Sequence, residues 1–338
     1  MNFASDNWAG ATAAVLDAVQ RANVGSATAY GGDELTAHVT RTFSEIFERE
    51  VEIHFVATGT AANALCMAST ARVSGLVFCT AEAHIHTDEF NATEFFTGMK
   101  LMPVPGEAAL MAPDALGAAI ARLPKGHAGP PATLSLTNAT EFGTVYRPER
   151  TRALSAIAKA HGMHVHVDGA RFANAVAATG ASPAELTWRS GVDLMSFGGT
   201  KNGCMGAEAI VVFEPGRFPD LRNLRQRAGH GMSKTRFVAA QFEGYFSDGG
   251  WLNTARHANL MAQRLSDGIA RTNAARLPWR GEANEVFPVM SRTTATRLRA
   301  AGAVFHTWEE LPDGDERVRL VTSFETTPDE VDRFLALL

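Results

Sequence analysis

The chain has 338 residues, 46% of them hydrophobic and 20% charged, with a net charge of −5. That is a soluble globular composition, long enough for a large domain plus a smaller one, and its mild acidity argues against a nucleic-acid or anionic-membrane partner. Cys66, Cys79 and Cys204 are spaced as neither a zinc site nor a disulfide framework, the N-terminus lacks the basic and apolar regions of a signal peptide, and no apolar run is bilayer-length. A cytoplasmic protein is the expectation.

In chain order, a short helix is predicted over 11–22 with Thr12 as its cap, then a loop carrying Tyr30-Gly31-Gly32-Asp33. Apolar residues at Leu35, Val39, Phe43, Ile46 and Phe47 predict a helix over 34–47. A strand over 51–56 runs into Thr58-Gly59-Thr60 and an Ala/Leu/Met-rich helix. Further strands are expected over 76–79, 132–136, 163–168, 193–197 and 209–213, the last an antiparallel return, with a helix over 150–161. This alternation predicts an α/β domain with a mostly parallel sheet, whose site lies outside the carboxyl ends of the strands. A hinge is expected within Ser247-Asp248-Gly249-Gly250, dividing a domain of residues 1–246 from a small α+β domain of residues 247–338. The small domain has a long helix, strands over 286–290 and 318–322, and a last helix from about Thr327.

Two strand ends carry the strongest chemical signal. One reads His164-Val165-His166-Val167-Asp168-Gly169-Ala170-Arg171, the other Asp193-Leu194-Met195-Ser196-Phe197-Gly198-Gly199-Thr200-Lys201. Charges at the ends of buried strands need a reason. A carboxylate, a guanidinium and a lysine amine match what pyridoxal phosphate requires: a partner for its ring nitrogen, a partner for an anion and a Schiff-base nucleophile. Gly169 and the Gly198-Gly199 pair are read as room for close ligand approach. Thr58-Gly59-Thr60 before a helix offers free N–H groups to a phosphate, although a plain turn and cap is the commoner use of such a segment. For Asp168 the plainer alternative is a helix cap or a pair with Arg171. For Lys201 it is a solvated loop lysine.

His84 and His86, taken as i, i+2 on a strand, pair formally with His164 and His166 as a metal-site pattern. A metal-dependent hydrolase leaves the Gly-Gly-Thr-Lys and Thr-Gly-Thr segments without a use, and His84 equally suits stacking on a cofactor ring. Arg319 opens a strand of the small domain, where a guanidinium can hold a substrate carboxylate or simply form a surface ion pair.

Taken together, Phe3-Ala4-Ser5-Asp6-Asn7, Ala29-Tyr30-Gly31, Thr58-Gly59-Thr60-Ala61-Ala62-Asn63, Ala83-His84, Asp168-Gly169-Ala170-Arg171, Phe197-Gly198-Gly199-Thr200-Lys201-Asn202, Glu282-Ala283-Asn284 and Arg319-Leu320-Val321-Thr322 resemble the L-threonine aldolase group of the β-eliminating lyase family. The resemblance spans nearly the whole chain. It implies a fold-type I (aspartate aminotransferase-like) pyridoxal-phosphate enzyme that cleaves a β-hydroxy-L-α-amino acid to glycine and an aldehyde. Lys201 would bind the cofactor covalently, Asp168 would face the pyridine nitrogen, His84 would stack on the ring, and Gly59 and Thr60 would hold the phosphate. Ser5, Arg171 and Arg319 would hold the substrate carboxylate, with Arg171 also near the ring hydroxyl. A homotetramer built as a dimer of dimers is implied, with Tyr30 and the stretch 225–234 as cross-subunit contributors. Where many members carry a second histidine near the β-hydroxyl, this chain has Asn138-Ala139-Thr140-Glu141. The general base is therefore expected to be His84 or a water it orders, which with Lys201 makes the catalytic pair, while Glu141 through a water and His86 stay as alternatives. A β-eliminating lyase and a silent cofactor-binding scaffold are the remaining alternatives.

Overall fold

Seven strands build the central sheet of the computed structural model, which describes residues 1–338. They are β1 (Glu52–Val56), β2 (Leu76–Thr80), β3 (Lys100–Val104), β4 (Pro131–Thr137), β5 (His164–Gly169), β6 (Leu194–Gly198) and β7 (Glu208–Val212). The spatial order is β1-β7-β6-β5-β4-β2-β3, with β7 antiparallel to both its neighbours and the other pairings parallel. Every residue of β2, β6 and β7 is buried, as expected of central strands with helices on both faces.

On one face, the helix Glu34–Ile46 delivers Phe43 into an aromatic cluster. Its ring lies 5.2 Å from Phe197, 5.2 Å from Phe242 and 4.9 Å from Phe246, each edge to face. Truncating a ring at the hub of such a cluster leaves a cavity that rigid neighbours do not fill. Phe43→Ala is expected to cost about 3–5 kcal/mol, read as a fall in the urea midpoint with an unchanged slope.

The sequence elements fall close to their expected bounds. Thr12 caps the helix Ala13–Ala22, and Thr327 begins the helix Pro328–Ala336 with a capping box. Two expectations are corrected. His84–Thr87 is a single helical turn, so His84 and His86 do not share a strand face. The predicted strand over 286–290 is split into Glu285–Val286 and Val289–Ser291 around Pro288, which lacks the N–H a continuous ladder needs.

Between the helices Arg236–Phe246 and Gly250–Ile269 the chain turns at Ser247–Gly249, with Asp248 and Gly249 at positive φ. The second of these helices joins two layers. Asn259 exchanges hydrogen bonds with Asn174 on the large layer, and Arg264 pairs bidentately with Asp332 on the last helix. The C-terminal sheet is centred on the strand Asp315–Val321. The N-terminus packs with this layer: Phe3 donates to Val304 O, accepts from Val321 N–H, and sets its ring 5.3 Å from Phe334.

Candidate active site

The ends of β1, β2, β4, β5 and β6 converge on two adjoining cavities of about 520 and 320 Å³, which share Asn7, His84, Asp88 and Lys201 in their walls. The inner one is bounded by Thr58, Gly59, Thr60, Asn63, Asp168, Thr200 and Glu208, the outer one by Ser5, Glu82, Glu141, Arg171, Glu285, Trp308 and Arg319. Lys201 stands between them, on the short 3₁₀ turn Thr200–Asn202 that follows β6.

Asp168 is the last residue but one of β5 and is buried. Its Oδ2 accepts from Asn63 Nδ2 (2.9 Å) and its Oδ1 from Ala170 N–H (3.0 Å). Asn63 is itself fixed, because Ser196 Oγ donates to its Oδ1 (2.6 Å) and its amide also donates to Glu89 Oε1 (2.8 Å). The carboxylate is thus aimed by neighbours, and it makes no pair with Arg171. At the head of helix Gly59–Ser69, Thr58 Oγ1 accepts from Ala61 N–H, while the first N–H groups of the helix have no helical partner. A Cβ on Gly59 would meet only Glu208 Oε2, at 3.9 Å, so this amide end is open to an anion.

Arg171 takes a different place from the one its motif suggests. It grips Asp6 through Nε (2.7 Å) and Nη2 (3.0 Å), and Nη1 lies 3.2 Å from Glu285. Burial pushes the Asp6 carboxyl upward, but Arg171 outweighs it and holds the group below the ordinary range. Burial likewise opposes the charge of Arg171, and the two carboxylates more than restore it. Asn284 adds a hydrogen bond to Asp6 Oδ2 (3.0 Å). Arg319 has no hydrogen bond to its buried Nε; its guanidinium lies 5.3 Å over Trp308, against the outer cavity. Of the two arginines, Arg319 has the unclaimed donors.

His84 faces two carboxylates, Nε2 3.3 Å from Asp88 and Nδ1 3.5 Å from Glu89, and the Glu89 contact raises its pKa against the effect of burial. Its backbone N–H donates to Glu141 Oε1 (2.9 Å), which also accepts from Thr137 Oγ1 (2.8 Å). Glu141 is 8% exposed and its Oε2 has no partner; burial pushes its carboxyl up to about 7.

Ser5, Gly59, Thr60, His84, Glu141, Asp168, Arg171, Lys201 and Arg319 all line the two cavities. Tyr30 does not. It is exposed, at positive φ, with its N–H bonded to Ser233 O. Within 225–234, Arg225 donates to Phe55 O and His230 accepts from Ala57 N–H.

The glycines also need correction. A Cβ on Gly169 would stand 2.6 Å from Ser196 O, and one on Gly198 2.6 Å from Ala170 O, so both serve strand packing. His166 bonds Ser135 inside the sheet and His164 packs on Phe218, as ordinary strand histidines do. No cluster of three or more His, Cys, Asp or Glu side chains is arranged for a metal ion. Asn63, Ser196, Glu89, Glu208 and Glu285 entered the site unforeseen. Only Asn63 had a sequence signal, lying one helical turn beyond Gly59.

A buried, braced carboxylate, a lysine amine and an open helix N-terminus around one cavity fit pyridoxal phosphate. The family model for β-eliminating lyases matches residues 2–293. The chain is 40% identical to a low specificity L-threonine aldolase of Pseudomonas aeruginosa over 97% of this chain and 94% of that protein. It is 39% identical to the protein of the same description from Pseudomonas sp., over 96% and 93%. The solved structure of Leishmania major threonine aldolase superposes with a TM-score of 0.94 at 29% identity, covering 99% of this chain and 98% of that one.

Proposed function

Because the chain belongs to the β-eliminating lyase family, we propose that these cavities cleave β-hydroxy-L-α-amino acids such as L-threonine and L-allo-threonine to glycine and an aldehyde, as a low-specificity L-threonine aldolase. The observation that carries this is the placement of Lys201, Asp168 and the Gly59–Thr60 amides around one cavity, with a carboxylate-binding cation and a buried carboxyl in the adjoining one.

When bound, pyridoxal phosphate supplies the electron sink beside the substrate Cα. Lys201 would hold it through the amine, Asp168 would face the ring nitrogen and favour its protonated form, His84 would stack on the ring, and Gly59 and Thr60 would hold the phosphate. Arg319 binds the α-carboxylate, with Ser5 and Arg171 beside it. Fixing that carboxylate sets the rotation about Cα and leaves the Cα–Cβ bond as the one to break.

Of the groups near the β-hydroxyl, Glu141 is suited to take its proton. His84 is held toward its cationic form by Glu89, with Asp168 adding to the shift, and His86 lines neither cavity. Aromatic β-substituents of the phenylserine kind can lie against Trp308. The three cysteines are free and buried, which supports a cytoplasmic enzyme. Exposed Phe90 and Phe95 support the assembly of a homotetramer, in which Tyr30 and the stretch 225–234 reach a neighbouring subunit's site.

Product analysis tests the activity. Threonine should give glycine and acetaldehyde in equal amounts. Pyruvate and ammonia would instead mark a β-eliminating lyase, inactivation by a chelator a hydrolase, and a bound cofactor with no product a scaffold. Arg319→Ala is expected to lower kcat/KM for threonine by about 10–100-fold, through loss of a charge-assisted contact, with an unchanged cofactor spectrum.

A further inference from the structure

Glu208 opens β7, paired with Val56 of β1 on one side and Gly198 of β6 on the other. It is 6% exposed, and no step above uses it. Its Oε1 accepts from Thr200 Oγ1 (2.5 Å) and from Thr200 N–H (3.4 Å). Its Oε2 has no hydrogen bond and is the oxygen that approaches Gly59, in the wall of the inner cavity. A carboxyl therefore stands where the amides of Gly59 and Thr60 offer themselves to a phosphate. Two anions in contact in a buried site are resolved by one of them taking a proton.

We propose that Glu208 is a phosphate-binding residue that works as a neutral acid, donating its Oε2 proton to a phosphate oxygen of pyridoxal phosphate. The proposal rests on the phosphate lying at the Gly59–Thr60 amides. Because Oε1 is occupied by two donors from Thr200, the proton is left to Oε2, the oxygen on the ligand side. Burial already pushes this carboxyl up to about 7, against the Thr200 hydrogen bonds and the charge of Lys201, while Asp168 adds to the upward shift.

The other titratable groups packed around it do not offset a second anion. Cys204 and Tyr245 are neutral and pushed further up by burial. Behind β1, burial pushes the His230 imidazole down, and Arg225 is turned to Phe55 O. Cofactor binding then takes up a proton wherever Glu208 is ionised in the free protein. Affinity should fall as pH rises past about 7.

The test is the dissociation constant of the full-length apoprotein for pyridoxal phosphate and for pyridoxal, from pH 6 to 8.5. At pH 8 about a tenth of the wild-type population carries the proton, so apparent affinity for pyridoxal phosphate should be about tenfold weaker than at pH 6. Glu208→Gln keeps an acceptor for Thr200 and a donor for the phosphate at every pH. It should lose this dependence and bind about tenfold more tightly than wild type at pH 8. Pyridoxal should not distinguish the two proteins. Parallel pH profiles, or a variant weaker by one factor at every pH, would overturn the proposal and leave Glu208 as an anchor for Thr200.

Thr60→Ala separates the two levels. If it weakens pyridoxal phosphate no more than pyridoxal, the phosphate is not at this helix and the placement of the cofactor fails instead. Calorimetry of the wild type in two buffers at pH 8, where the phosphate is already a dianion, needs no variant. Pyridoxal phosphate should take up about one proton more than pyridoxal, and equal uptake would refute the role.

Discussion

Lys201→Ala should replace the absorption band of the lysine-bound cofactor by that of the free aldehyde and lower turnover of threonine by about 10⁴-fold or more. The size of the effect follows from position. Lys201 is the one amine in the walls of both cavities, and it follows β6 directly, at the carboxyl end of the strands. Because Asp168 and the Gly59–Thr60 amides are untouched, the variant should still bind the cofactor, with the spectrum of a free aldehyde. Borohydride should fix the cofactor to Lys201 in the wild type and to nothing in the variant. A wild-type spectrum in the variant, or a label on another lysine, would remove the basis of the functional assignment.

Glu141→Gln should lower kcat by about 10²–10⁴-fold while leaving the absorption spectrum and the KM for threonine nearly unchanged, as expected for loss of a general base. The pH profile gives the sharper readout. Glu141 must be ionised to accept the β-hydroxyl proton, and burial has pushed its carboxyl up to about 7. The activity of the wild type should therefore rise about tenfold per pH unit below that value and level off above it. The glutamine variant should lack this limb. A surviving limb with unaltered kcat would move the proton transfer to another group.

The strand ends were legible because burial and charge conflict there in the sequence itself. Asp168 and Lys201 could be singled out by position alone, and the helix behind Thr58 by its cap. Arg171 shows where such reasoning stops. Its motif suggests a ligand partner, yet Asp6 and Glu285 claim the guanidinium, and they lie 165 residues before it and 114 after it. The glycines failed in the same way: Gly169 and Gly198 are small because neighbouring backbone comes within contact distance, which only the folded sheet brings about. His84 and His86 read as strand because a four-residue turn carries too little periodicity to be distinguished from one.

The contact between Asn284 and Asp6 bears on how the protein is made. Asp6 leaves the ribosome 278 residues ahead of its amide partner. At about 5–20 residues per second, some tens of seconds separate the two ends of that hydrogen bond. The sheet, with Asp168 and Lys201 at its strand ends, can assemble meanwhile, but the wall that carries Arg171 and Arg319 closes only when the strands of Glu285 and Arg319 arrive. A nascent or C-terminally truncated chain should hold the cofactor before it can grip an amino acid.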